Sequence, residues 1–382
     1  MTIQAHTSPL TSLAVTPDCR QIISGSWDNT LKVWNLNKTR KLHISTRHSN
    51  LVGAIAVTPD GKKVISSSGK PLLGSSDKTL KVWDIETGNK LFTLTGSNWY
   101  IKSVIVSPDC KWVISGLDQI SINIWNLRTE KKHFTITGHT AKINTMTVTH
   151  DSKLLISGSN DKTIKVWNLE TGSEVFTLKG HTDQVTLVTI AANNERLISA
   201  SKDKTIKVWN LKTRALINTV TGHSEKVNSL ALTSHDRLIV SGSNDKTIKI
   251  WDLETGTELY TLIGHTDSVQ AVALTPNGKQ VISSSIDNTL KVWNLKTGQE
   301  IFSITGNGNQ VNTVTVTPDS KHLIYHISYD NSIQVLDLES QNVIASFTGE
   351  SALTCCAVAS DGMTIVAGEA SGRVHFLRLE TR

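Results

Sequence analysis

The chain has 382 residues, of which 38% are hydrophobic and 5% aromatic, enough apolar material for a large core that needs no disulfide or metal. Its net charge of +6 is spread rather than clustered: Lys162 and Lys165, or Lys246 and Lys249, recur in phase with acids between them, which reads as a solvated surface and argues against a nucleic-acid footprint. Residues 1–20 carry no charged-then-apolar leader, no stretch approaches eighteen apolar residues, and Cys19, Cys110, Cys355 and Cys356 lack zinc-ligand spacing, so a soluble cytoplasmic protein without metal or cofactor is expected.

In chain order, the first six residues, Met1–His6, match the tail of a later strand and the turn after it, Phe176–His181. A landmark Trp then falls at Trp34, Trp83, Trp125, Trp167, Trp209, Trp251 and Trp293, and Leu336 and Leu377 occupy the same place in two further units. The spacings are 49, 42, 42, 42, 42, 42, 43 and 41 residues, which makes nine repeats and leaves almost nothing outside them. The unit around Ser159–Gly172 shows the local pattern. Ile143–Val148, rich in β-branched residues, predicts a first strand, and Thr149–Ser152 a turn; in another copy this turn reads Thr58-Pro59-Asp60-Gly61. Leu154–Gly158 predicts a second strand, Asn160–Lys162 a tight hairpin, Ile164–Trp167 a third strand and Val175–Leu178 a fourth. The last unit stops after its third strand, Arg373–Leu379. Four short strands per unit, without helical periodicity, is the pattern of a β-propeller blade.

Gly138-His139, Gly180-His181, Gly222-His223 and Gly264-His265 precede first strands, an Asp sits in the hairpins, and the third strands close on Trp-Asp or Trp-Asn. On these residues the chain resembles the WD-repeat family over essentially its full length. The resemblance implies an all-β propeller of four-stranded blades whose N-terminal strand, 1–6 here, completes the last blade and closes the ring; family rings usually have seven or eight blades, but the nine repeats and the matching chain ends predict nine in one ring, a single domain spanning 1–382. Eight blades with a terminal unit packed outside is the alternative.

Sets of His, Ser, Asp and Trp recur at fixed spacing: His6, Ser24, Asp28, Trp34; His139, Ser157, Asp161, Trp167; His181, Ser199, Asp203, Trp209; His223, Ser241, Asp245, Trp251; His265, Ser283, Asp287, Trp293. A sixth set, His48, Ser66, Asp77 and Trp83, is stretched by an insertion around Gly69–Ser75. Ser, His and Asp together invite a hydrolase reading. Six identical copies argue instead for a structural element, since an acyl-transfer enzyme needs one asymmetric site with an oxyanion hole. The resemblance implies a hydrogen-bonded tetrad across each blade. Three units have lost it: Ser97 and Gln119 stand in for His and Asp beside Ser115 and Trp125; Asn307, His326 and Leu336 surround Asp330; and Glu350, Ala367, Ser371 and Leu377 fill the last. Those three are expected to rely on apolar packing.

No glycine loop followed by Lys-Ser or Lys-Thr is present, so no phosphate cradle of that type is expected, nor any catalytic residue. The resemblance places the residue before the hairpin Asp, and those opening the first strand, on a rim that contacts partners. Most are small or polar (Asn160, Asn244, Asp183, Gln184, Glu225), whereas Trp27, Trp99, Tyr100 and Tyr329 are aromatic and form the candidate partner-binding set; they either recognise a partner or cap decayed blades. First-strand residues Lys102, Asn144, Thr186, Asn228, Gln270 and Asn312 would give a central channel a mostly uncharged polar wall. The expected function is thus a monomeric, non-enzymatic protein–protein scaffold or sensor; the alternative is a small polar ligand or nucleic acid bound at channel or rim. Finally, Asp361–Gly368 and Gly372–Glu380 resemble the ends of WD arrays in bacterial, especially cyanobacterial, STAND-type signalling NTPases, in which the propeller is the sensor or autoinhibitory module.

Overall fold

The computed structural model describes residues 2–35, 40–44, 48, 52–68, 78–95, 101, 103–116, 119–233, 235–305, 311–327, 331–359 and 361–379. Among these, 36 strands form nine four-stranded antiparallel sheets, and no helix is long and apolar enough to cross a membrane. Eight sheets are built from four consecutive strands. The ninth takes Leu353–Val358, Thr364–Glu369 and Arg373–Arg378 from the end of the chain and Thr2–Gln4 from its start, with Thr2 opposite His375 and Gln4 opposite Arg373.

Blade four shows why the sequence folds this way. Ile143–Val148, Leu154–Ser159, Ile164–Asn168 and Glu174–Leu178 pair in order, with Met146 opposite Ser157, Ile156 opposite Val166, and Val166 opposite Phe176. The second strand is buried on both faces because it lies inside its sheet and both faces are covered, whereas the fourth, at the edge, is exposed at Glu174 and Val175 and becomes buried only at Leu178. The first turn is tied by the Thr149 hydroxyl, which donates to Asp151 at 2.6 Å, while Ser152 takes a left-handed φ of 59°. The hairpin puts Lys162 at φ 71°, with its N–H on the Ser159 carbonyl at 3.2 Å; Asn29 and Asn288 hold the corresponding conformation in blades one and seven.

The chain divides into two compact units. One, made of Met1–Leu117, Ile122–Ile136 and Thr313–Arg382, carries blades one to three, eight and nine; the other, Asp118–Ser121 with Thr137–Asn312, carries blades four to seven. In each, the core is a set of apolar layers between neighbouring sheets. In the second unit, Ile156, Ile164 and Val166 of blade four meet Val185, Leu197 and Trp209 of blade five. In the first, Leu10, Ile22 and Trp34 of blade one pack on Val366, Val374 and Phe376 of blade nine, whose opposite face meets Ile324, Ile333 and Val335 of blade eight. Blade nine is thus covered on both faces, and the alternative of a terminal repeat packed outside eight blades is set aside.

The lysines correct one expectation. Lys162 is exposed, but the third-strand Lys is not solvated: Lys207, Lys249 and Lys291 are buried, and Lys249 and Lys291 pair with Glu258 and Glu300 at 2.8 and 2.9 Å. Their ammonium groups lie 5.8 and 6.0 Å from the Trp251 and Trp293 ring centres. A long aliphatic stem covers the indole while the charged head finds a carboxylate on the edge strand.

Candidate functional site

Each intact hairpin carries a hydrogen-bonded column through its blade. In blade four, the Trp167 indole N–H donates to Ser157 Oγ at 2.8 Å, Ser157 Oγ lies 2.8 Å from His139 Nε2, and His139 Nδ1 lies 2.8 Å from Asp161. The sets at His181, His223 and His265 repeat these bonds within 2.7–2.9 Å, and the His6 set within 2.8–3.0 Å. His48 and Trp83 both bond Ser66, at 2.8 and 2.9 Å; Asp77 lies outside the described residues. The Gly before His139, His181, His223 and His265 has a steric cause. Gly138 has φ 156°, and a Cβ there would stand 2.9 Å from the Trp167 ring.

The Asp carboxylate is saturated. Asp161 accepts from His139 and the Thr140 N–H through one oxygen, and from the N–H and hydroxyl of Thr163 through the other. Burial alone would raise its pKa, but these donors outweigh it and hold it below the ordinary range; Asp287 is lowered to about 2 on the same balance. Burial pushes His139 and His265 down despite their carboxylates, so the imidazoles are neutral near pH 7. The consistent proton arrangement has Nδ1–H donating to Asp and Nε2 accepting from the Ser hydroxyl.

That order matches a hydrolase triad, yet the geometry removes the chemistry. Ser157, Ser199 and Ser241 have no exposed surface, and each already accepts an indole N–H. A substrate carbonyl could approach only by displacing the Trp. The column is a fastener, and two further repeated hydroxyls belong to it that the sequence reading missed. Thr two residues after the Asp bonds its carboxylate; Ser two before it, as Ser159, accepts the Asp161 N–H and donates to the Ala141 carbonyl. Their signal was the recurrence of Ser-x-Asp-x-Thr.

The degenerate blades differ from one another. In blade three the Trp125 indole N–H turns to the Thr95 carbonyl at 3.0 Å rather than to a hydroxyl. In blade eight the Tyr325 hydroxyl donates to Gln334 at 2.6 Å. Blade nine corrects the expectation of apolar packing. Glu369 and His375 are almost fully buried and 2.7 Å apart; Glu369 accepts from the Glu350 N–H at 2.9 Å, the Ser351 hydroxyl at 3.1 Å and the Ser371 hydroxyl, and His375 Nδ1 lies 2.8 Å from the Thr2 hydroxyl. This network ties the first strand of the chain to the last. Next to it, burial raises the Cys355 and Cys356 thiols to about 11 and 12, which leaves them protonated; they pack into the layers facing blades one and eight respectively.

Of the four aromatic candidates, Trp27 is 47% exposed, and its backbone N–H donates to the Pro9 carbonyl at 3.0 Å. Trp99, Tyr100 and Tyr329 lie outside the described residues, as do Ser97, Lys102, Asn307 and Asp330. Two other occupants of the Trp27 place depart from small polar residues. They are Lys202 and the 40% exposed Ile286, each making the same backbone bond. Two of the first-strand amides are already engaged: Asn144 Nδ2 donates to Asn160 and to the Val185 carbonyl of the next blade at 2.7 and 2.8 Å, and Asn228 does likewise to Asn244 and Val269 at 2.6 and 2.9 Å. Among the described residues no cluster of three His, Cys, Asp or Glu has metal-binding geometry.

Against known families, the profile described as WDR3 first beta-propeller domain matches residues 70–253, and that described as WD domain, G-beta repeat matches residues 1–35, 39–84 and 256–294. In structure the chain resembles the crystal structure of the computationally designed Ika8 protein, with 25% identity and a TM-score of 0.65 over 99% of this chain and 98% of that one. No curated protein sequence matches.

Proposed function

We propose that this chain, which belongs to the WD-repeat β-propeller family, is a non-enzymatic scaffold or sensor that recognises another protein through the residues around its hairpin turns. Propellers of this family generally act as protein-interaction scaffolds. The observation that carries the reading is the contrast between the hairpin Asp and the residue before it. The repeated polar groups are spent on one another inside the blade, whereas the Trp27 ring is offered to solvent. An exposed indole in a slot taken in most other blades by a non-aromatic residue, such as Asn160, Lys202, Asn244 or Ile286, is a natural anchor, since aromatic side chains dominate interface energetics. Trp99, Tyr100 and Tyr329 are proposed as members of the same surface.

The resemblance of the C-terminal end to bacterial STAND-type arrays supports a finer reading, in which the propeller is the sensor of a cytoplasmic signalling system and acts as a monomer. All four cysteines are thiols rather than disulfides, which suits a reducing compartment. The test is affinity capture from the source organism with wild type against the triple variant Trp27→Ala/Trp99→Ala/Tyr329→Ala. Loss of specific partners while the fold is retained is the expected result; an unchanged partner set would remove this surface from consideration.

A further inference from the structure

We infer that blades eight and nine enclose a binding site for an aromatic carboxylate of about the size of an indole ring. The repeat itself supplies the argument. Between blades four and five, Trp209 packs on Ile164, Val166 and Phe176 of the preceding blade, and between blades two and three Trp125 packs in the same way on Leu80, Val82 and Phe92. Register fixes the equivalent residues. Ala345 is opposite Val335 as Phe176 is opposite Val166, and Leu377 is opposite Ile365 as Trp167 is opposite Leu155. At this one boundary both large rings are therefore gone together, Trp to Leu and Phe to Ala.

The sheets have not closed over the loss. A cavity of 280 Å3, open to solvent on one side, remains, walled by Ile333, Val335, Ala345, Phe347, Ile365 and Leu377. An apolar cavity of about 150 Å3 in another protein is enough to take up benzene, so the volume here accommodates a bicyclic ring. Ala367 stands where the intact blades place the Ser that accepts an indole N–H, so that acceptor is missing here and a ligand's polar group must face outward. There Ser346 and Arg378, both exposed, line the mouth. A guanidinium beside a hydroxyl suits a carboxylate, through charge-assisted hydrogen bonds.

The test is calorimetric titration of the full chain with indole-3-acetate and with indole. Wild type is expected to bind both, the carboxylate about tenfold more tightly, and Arg378→Gln to remove that difference while leaving indole binding in place. Ala345→Phe restores a ring found at Phe92, Phe176 and Phe302 and is expected to abolish binding of both, with Leu377→Phe as the second filling variant should the first fail to fold. Absence of binding by folded wild type, or binding undiminished in a folded filling variant, would overturn the site. Equal affinity for the two probes would overturn the carboxylate preference.

Discussion

Ser157→Ala is the sharpest probe of the fastener role. The hydroxyl has no exposed surface and joins two groups, accepting the Trp167 indole N–H and contacting His139 Nε2, each at 2.8 Å. Its removal opens almost no cavity, but it leaves an indole N–H and an imidazole nitrogen dry and without that partner. At about 1–3 kcal/mol for each of the two orphaned groups, the expected loss is about 2–6 kcal/mol. Ser115→Ala in blade three is the same chemical change in a buried second strand, yet there the indole bonds the Thr95 carbonyl, so the loss should stay near or below about 1 kcal/mol. The assay is thermal unfolding paired with hydrogen exchange of the Trp indole N–H groups by NMR. The indole readout matters because a repeat array need not unfold in one step. Ser157→Ala should speed exchange at Trp167 and leave Trp125 unchanged. Equal effects of the two substitutions on stability, or an unchanged Trp167 exchange rate, would refute the reasoning.

Three further outcomes follow from the same geometry. Replacing Lys162, Lys204 and Lys246, all at φ 71–72°, by the Asn found at positions 29 and 288 should stabilise the protein by about 0.5 kcal/mol per site, seen as a rise in the unfolding midpoint. Acid should destabilise the protein in two steps: the depressed pKa values of His139 and His265 mean that the unfolded chain takes up protons first, so their contribution is complete above about pH 6.5 and falls below it; the hairpin carboxylates, Asp287 titrating at about 2, lose theirs below about pH 3.9. A chemical-denaturation series from pH 8 to about pH 1.5 would read both steps. Backbone amide exchange should be fastest in blades three and eight, and blade nine should be protected until Glu369→Ala removes its buried network.

The strands and hairpins were legible because each copy repeats the same alternation and the same turn residues, so Ile164–Trp167 in one blade checks the register of every other. The tetrads were legible for the same reason. Two features were hidden by that logic. Lys249 looks like any surface Lys in a charged stretch; only the edge strand, nine residues later, supplies the Glu258 that lets it be buried. Glu369 and His375 occupy the places of Ser159 and Lys165, outside the four-residue motif, and their partner Thr2 is 373 residues away from His375. A motif comparison recorded only what blade nine had lost. The cavity beside Leu377 was hidden similarly, since Ala345 is unremarkable until register pairs it with the missing indole.

The proposed role rests on Trp27 facing a partner. A photo-crosslinking residue placed at position 27, and in a second sample at the exposed Glu170 on a turn between third and fourth strands, tests this in the source organism. Position 27 should yield a discrete cross-linked protein that position 170 does not. The same products from both positions, or none from position 27 in a correctly folded protein, would contradict recognition through this surface.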